Sequence, residues 1–352
     1  MTLLAATVAQ IREPDRRVAA QVQRLLDAKT KPRRSLGRLE DLACRVAAIR
    51  GTTAPGPLAK AIVVMAADHG VAAEGVSAYP QDVTRQMLRN FARGGAAINV
   101  LARQAGARLV VVDLGVAAAL PDEPEIRSHR IAAGTRPFTR EPAMTRVQAI
   151  AALEAGIAIA GELAGDGIGL LGLGEMGIGN TTSASALAAV LTGAPVDDVT
   201  GRGTGIGDAA IAHKCDVIRR AIEVNRPDPG DALDVLAKLG GFEIAGLVGA
   251  MLGGAAAGVP VVVDGFIASA AALVATRLAP AVAGSLVCAH RSAEIGHRRV
   301  LAALGHEPLL DLELRLGEAT GAALAMPLID AALAILRDMA TFAAAGVDDS
   351  GA

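Results

Sequence analysis

Residues 167–180 read Gly-Ile-Gly-Leu-Leu-Gly-Leu-Gly-Glu-Met-Gly-Ile-Gly-Asn, and Thr181-Thr182 then open a helical stretch. An apolar run that dissolves into glycines and passes straight into a helix reads as a buried parallel strand feeding a ligand-binding turn. Glycines let the backbone turn tightly and approach a ligand, and amides at a helix N-terminus bind phosphate. Working outward from Gly167 to Leu173, four more runs share the form: Ala61 to Ala67, Arg108 to Leu114, Val259 to Val263, and Ser285 to Cys288. They end in Asp68-His69-Gly70, Asp113-Leu114-Gly115, Asp264-Gly265 and His290-Arg291-Ser292, as the central run ends in Gly174-Glu175-Met176-Gly177. Helical stretches separate them. The expectation is an α/β fold, a parallel Rossmann-like sheet flanked by helices, with ligands bound outside the carboxyl ends of the strands.

The two ends of the chain differ from this pattern. Val18, Val22, Leu25 and Leu26 form one face of an amphipathic helix opening near Asp15. Leu39, Leu42, Val46 and Ile49 form a second stripe, with Ser35 a candidate N-cap. Ala322 to Ala345 reads as an apolar helix that Pro327 kinks or restarts. With Gly51 to Pro57 as linker, residues 1–55 and a segment from about 320 to 352 are expected to form a small helical domain, and 56–319 a large α/β catalytic domain. Pro121 to Arg130 reads as a solvated surface excursion, and Asp348 to Ala352 as a fraying tail. Ile244 to Val263 carries no charge, but Pro260 interrupts it and Val261-Val262-Val263-Asp264-Gly265 ends as a strand does. A packed helix followed by a buried strand is expected there instead of a membrane span.

Composition narrows the function classes. Of 352 residues, 52% are hydrophobic and 2% aromatic, and the formal charge is -2. That balance attracts neither nucleic acid nor an acidic membrane surface, and a chain with no Trp and one Tyr lacks a base-stacking platform. Small aliphatic residues at this density suit helices packed closely on a buried sheet. Cys44, Cys215 and Cys288 form no CxxC, so a reducing, cytoplasmic compartment is expected. The six histidines show neither HxxxH nor pairing with cysteine, and no metal site is expected.

A second glycine-rich loop, Gly201-Arg202-Gly203-Thr204-Gly205-Ile206-Gly207-Asp208, is followed by Lys214. Two such loops and a lysine fit a cradle for one phosphorylated ligand. Gly172, Gly174 and Gly177 also satisfy G-x-G-x-x-G, which makes an NAD(P)-dependent or other dinucleotide-binding protein the rival reading. That motif requires a second strand ending in an acid roughly 20 residues on. Asp197 and Asp198 stand at that distance but follow the loop-like Thr192-Gly193-Ala194-Pro195. Near the far end, Arg315-Leu316-Gly317-Glu318-Ala319-Thr320-Gly321 precedes the last helix; read alone, Glu318 there is a favourable charge at a helix start.

Longer matches add to this reading. They comprise Lys31-Pro32 with Ser35-Leu36-Gly37-Arg38-Leu39-Glu40, Ala67-Asp68-His69-Gly70-Val71, and Gly75-Val76-Ser77-Ala78-Tyr79-Pro80-Gln81. They continue through Arg93-Gly94-Gly95-Ala96-Ala97-Ile98-Asn99, Gly174 to Thr182, Gly240-Gly241-Phe242-Glu243, Val263-Asp264-Gly265-Phe266 and Arg315 to Gly321. In these segments, which run in order over nearly the whole chain, the protein resembles the nicotinate-nucleotide–dimethylbenzimidazole phosphoribosyltransferase family. One departure is Arg33-Arg34, where the family usually has Pro-Gly. The resemblance implies a pentosyltransferase of cobalamin biosynthesis, a homodimer using two small-molecule substrates, with no cofactor and no metal. Its leaving group is a pyridinium that departs by regaining a lone pair, with no need of a Lewis acid. It implies Glu318 as catalytic base and a substrate-orienting part for Glu175. It further implies a nucleotide and phosphate site at Gly177, Gly179, Asn180, Thr181, Gly203, Gly205, Lys214, Asp264 and Ser292. A base pocket is implied at Tyr79, Pro80 and Met87, with Leu316 opposite.

Overall fold

The computed structural model describes residues 2–348 apart from Ala119, Pro121, Asp122, Thr204 and Ile206. Its centre is a parallel sheet of β1 (Ala59–Ala67), β2 (Ala107–Gly115), β3 (Ile126–Ser128), β4 (Ile168–Met176), β5 (Val261–Val263) and β6 (Leu286–Cys288). The spatial order is β3-β2-β1-β4-β5-β6. The order reverses between β1 and β4, and a crevice opens at such a switch point.

The apolar runs are continuous because both faces of the sheet are covered. On one face, Val63, Met65, Val112, Leu171, Leu173 and Val263 pack under the helices Arg146–Gly165, Asn180–Thr192, Phe242–Ala256 and Phe266–Leu278. On the other, Ile62, Val64, Val111, Leu170 and Val262 share a core with Arg16–Asp27, Arg38–Arg50, Ala97–Ala105 and Thr320–Asp338. The second layer draws on both chain ends, which also meet through the Lys29–Thr341 bridge.

Several local expectations are corrected. The excursion Pro121 to Arg130 contains the edge strand β3, which pairs with Val111, Val112 and Asp113 of β2; its Pro121 and Asp122 lie outside the described residues, as do residues 349–352 of the tail. Gly37, in place of Ser35, occupies the N-cap of Arg38–Arg50, with φ at 53°. The last long helix runs through Pro327 and ends at Asp338, and Phe342–Ala345 is a separate turn of helix. The stretch from Ile244 is a packed helix, Phe242–Ala256, followed by β5.

That helix crosses Arg146–Gly165 at very short range. A Cβ on Gly249 would stand 1.9 Å from the Leu153 carbonyl, and one on Gly156 would stand 2.0 Å from that of Gly246. Glycine is needed for space at both points. Gly249→Ala is therefore expected to destabilise the fold by about 1–3 kcal/mol, measured by denaturant unfolding against the wild type.

Candidate active site

The strand register sets the site. Leu173, Val263 and Cys288 lie side by side in β4, β5 and β6, so Glu175, Asp264 and His290 emerge along one carboxyl edge. A cavity of about 510 Å³ opens there. Its walls include Tyr79, Val83, Met87, the stretch Glu175 to Thr181, Gly203, Asp264, His290, Ser292, Glu294, and Arg315 to Glu318.

At one end Gly317, Glu318 and Ala319 take φ values of 85°, 61° and 68°, three consecutive left-handed residues of which two carry side chains. Asp264 secures the turn: Ala322 N–H donates to its Oδ1 at 3.0 Å, and the Gly321 and Ala319 amides also point to its carboxylate. Burial outweighs those donors and pushes the Asp264 carboxyl up to about 7. Burial likewise pushes the Glu318 carboxyl up to about 7, against a favourable contact with the Ile98 amide, and Glu318 Oε2 is buried without a hydrogen-bond partner. A carboxyl that titrates near neutral pH on a residue lining a cavity is suited to accepting a proton.

Glu175 closes β4 beneath that turn. A Cβ on Gly317 would stand 2.4 Å from its Oε1, and Asn180 Nδ2 donates to its Oε2. Full burial, then the charges of Glu243 and Asp264, raise its carboxyl well above the ordinary range. The environment thus favours the protonated form of Glu175 over the ionised one.

Another part of the cavity wall is suited to an anion. The helix Asn180–Thr192 starts from Gly179 and aims its N-terminus at the cavity. Gly203 comes down on that helix start: a Cβ there would stand 2.7 Å from Thr181 Oγ1 and 3.2 Å from Lys214 Nζ. Lys214 is buried behind the loop, its Nζ 3.4 Å from the Gly201 carbonyl, and burial lowers its ammonium to about 8. Ser292 is fixed from behind: its N–H donates to His297 Nδ1 at 2.8 Å, and His297 Nε2 lies 2.9 Å from Ser269 Oγ. Burial holds His297 down at about 3, so the ring is neutral and carries its proton on Nε2.

The fold thus brings Glu318, Glu175, Gly177, Gly179, Asn180, Thr181, Gly203, Asp264, Ser292, Tyr79, Met87 and Leu316 onto one cavity wall. Gly205, Lys214 and Pro80 are not on it; Lys214 stands just beneath the Gly203 loop, and Thr204 and Ile206 of that loop lie outside the described residues. Asp264 faces the backbone of the Glu318 turn. The dinucleotide motif is also corrected. Gly172 and Gly174 lie inside β4, where added Cβ atoms would stand 2.8 Å from Met326 Cε and 2.1 Å from Ala319 N. They give space to the last helix and form no phosphate loop. Asp197 and Asp198 lie in the short helix Val196–Val199, not at a strand end.

Comparison with known proteins settles the family. A family model described as "Phosphoribosyltransferase" matches residues 11–347. The chain is 56% identical over 347 residues to the nicotinate-nucleotide–dimethylbenzimidazole phosphoribosyltransferase of Roseiflexus sp. (strain RS-1), covering 99% of this chain and 98% of that one. It is 56% identical over 348 residues to the enzyme of that name from Geobacter metallireducens, covering 99% of each. The crystal structure of CobT from Thermus thermophilus superposes with a TM-score of 0.91 at 49% identity, covering 95% of this chain and 100% of that one. The chain belongs to this phosphoribosyltransferase family.

Within this phosphoribosyltransferase, five cavity or support residues were not singled out from sequence: His69, Glu243, His290, Glu294 and His297. His69 and His290 sit in the polar strand ends where a site was sought, and Glu243 lies in a segment shared with the family. Glu294 and His297 follow Ser292 with no local signature, and only burial discloses them.

The Glu318 site also predicts a stability change. Its carboxyl rises from 4.5 to about 7 on folding, so folding favours the protonated form and ionisation weakens the fold as pH rises through 7. Glu318→Gln should therefore melt higher than wild type at about pH 8, and the gain should vanish below about pH 4, where Glu318 is neutral in both states. Thermal melts of the two proteins across that range test it.

Proposed function

We propose that this phosphoribosyltransferase moves ribose 5-phosphate from nicotinate mononucleotide to 5,6-dimethylbenzimidazole, giving α-ribazole 5′-phosphate and nicotinate. The observation that carries this reading is one cavity lined both by a carboxyl raised to about 7, Glu318, and by a helix N-terminus backed by a buried lysine. The names of the close relatives support the choice of substrates.

In this reading the 5′-phosphate rests on the turn Gly177 to Thr181 and on Gly203, with Ser292 beside it and Lys214 supplying positive charge through the loop. The benzimidazole lies between Met87 and Leu316, with Tyr79 and its neighbour Pro80 at the mouth, where Tyr79 and Leu316 are 55% and 58% exposed. The lone pair of one ring nitrogen attacks the anomeric carbon while the bond to the nicotinate nitrogen breaks and its electrons return to the pyridine. The attacking ring becomes cationic, the proton on its second nitrogen turns acidic, and Glu318 removes it. Glu175, held by Asn180, orients the substrates. Two further proposals follow the family resemblance. The protein works as a cytoplasmic homodimer, a setting its three free cysteines suit. Residues 1–55 and 320–352 act as a small helical unit beside a catalytic unit of 56–319.

Turnover with nicotinate mononucleotide and a panel of benzimidazoles, purines and phenols tests the reaction; absence of any ribosylated product would sink it. Glu318→Gln is expected to fold, bind both substrates and lose about 10²–10⁴-fold in kcat, with Glu175→Gln losing less. Wild-type kcat should rise with pH through about 7 as Glu318 ionises. Near-normal turnover in Glu318→Gln would move the base to Glu175. Tyr79→Ala should raise the KM of the base by about 1 kcal/mol, several-fold, and spare the nucleotide. Lys214→Ala should weaken nicotinate mononucleotide binding and its competition by phosphate; unchanged affinity would remove the lysine from the site.

A further inference from the structure

Behind the cavity lies a polar cluster that the transfer chemistry leaves unused. His69 follows β1; its Nε2 stands 2.6 Å from Glu243 Oε1 and its Nδ1 stands 3.0 Å from Ser183 Oγ. Glu243 lies in the first turn of the helix Phe242–Ala256, and Ser183 lies in the first turn of Asn180–Thr192. The connectivity is that of a Ser-His-acid triad. Yet all three residues are 0% exposed, and Ser183 Oγ also faces the Gly240 carbonyl at 3.4 Å. No substrate reaches that hydroxyl, so a nucleophilic role is excluded.

The cluster instead touches the backbone of the site. A Cβ on Gly177 would stand 3.3 Å from His69 Cδ2 and 3.1 Å from Glu243 Oε1; one on Gly179 would stand 3.3 Å from His69 Cβ; one on Gly241 would stand 2.2 Å from His69 Cε1. The chain is glycine at all three points where it wraps the imidazole. Glu243 Oε2 is buried with no partner, so His69 is the group that satisfies this carboxylate. Removing one side of a buried polar pair leaves the other unsatisfied, and the backbone shifts to reach water or another donor.

We propose that His69, clamped between Ser183 and Glu243, is a positioning residue for the nucleotide half of the site. It fixes the turn Gly177–Gly179 and the start of the helix Asn180–Thr192 against the end of β1. The base half is built from Tyr79, Met87 and Leu316, which are not among the groups seen to wrap His69. The substrates named in the test rest on the phosphoribosyl-transfer reading, but the clamp itself rests only on geometry.

Three full-length variants test it. His69→Gln places an amide near the former Nε2 and keeps Glu243 satisfied, whereas His69→Asn reaches only Ser183. Ser183→Ala removes one hydroxyl and leaves the His69–Glu243 pair. In His69→Asn the KM for nicotinate mononucleotide is expected to rise about tenfold or more, while that for dimethylbenzimidazole stays within about twofold. His69→Gln should recover part of the loss, and Ser183→Ala should show a smaller change of the same kind. Unchanged nucleotide KM in folded His69→Asn, or equal rises for both substrates, would overturn the proposal. Should His69→Asn fail to fold, Ser183→Ala decides: a rise confined to the nucleotide supports the clamp, and no rise overturns it. Calorimetric binding of inorganic phosphate separates the two readings. Wild-type protein that binds phosphate but transfers no ribose refutes the proposed reaction, while weaker phosphate binding by Ser183→Ala still upholds the clamp.

Discussion

Glu175, Glu243, Asp264 and Glu318 are buried near one carboxyl end of the sheet, and the cost of desolvating carboxyls there, with mutual repulsion added at Glu175, is the constraint to which the surrounding structure is fitted. Four like charges cannot all ionise in a buried site. Each has a partner: Asp264 takes the amides that open the last helix, Glu243 takes His69, Glu175 takes the Asn180 amide, and Glu318 takes the Ile98 amide. Glu318 alone keeps an unbonded oxygen while lining the cavity. The result is a division of labour. Glu175 is pushed well above the ordinary carboxylate range, and Glu318 is pushed up to about 7, where a carboxyl can exchange its proton near neutral pH.

Holding Glu318 there requires strain. Non-glycine residues in the left-handed region each cost about 1–3 kcal/mol, and Glu318 and Ala319 occupy it in succession. Two contacts stabilise the turn. Asp264 gathers its amides, and β4 offers Gly174, whose missing side chain leaves room for the Ala319 backbone. The C-terminal segment that carries Glu318 therefore rests on a strand far earlier in the chain, and the last long helix, which covers this face of the sheet, also holds Glu318 in place.

Five strands and their polar ends were legible in the sequence because burial on both faces leaves uninterrupted apolar runs. β3 was not, because a three-residue edge strand is half exposed and lies among charges. The cavity walls were legible where glycine or acid followed an apolar run, as at Glu175, Gly177 and Asp264. The clamp around His69 was not, since its function lies in contacts among three segments far apart in the chain. Lys214 shows the limit from the other side. A lysine in a helix reads as a solvated charge, and only the fold places it 1% exposed beneath a glycine loop. Pro80, adjacent to a lining residue, shows that a family motif marks a neighbourhood without fixing which of its side chains faces the ligand.

The G-x-G-x-x-G run shows how one pattern can serve two structures. In a dinucleotide-binding fold its glycines occupy the turn and the helix start, where they admit a pyrophosphate. Here Gly172 and Gly174 fall before the strand ends, and the space they leave is filled by Met326 and Ala319 of the C-terminal helix and its approach. Only Gly177 is left for the turn, and Gly179, outside the motif, starts the helix. The shift moves the glycine-lined surface from the ligand to a covering helix. It leaves one helix N-terminus with room for one phosphate, and it brings a glutamate on the covering segment over the strand end. A sheet order shared with dinucleotide-binding proteins thus carries a helix N-terminus and a glutamate carboxyl on the wall of one cavity, the kinds of group that a transfer between two ring nitrogens can use.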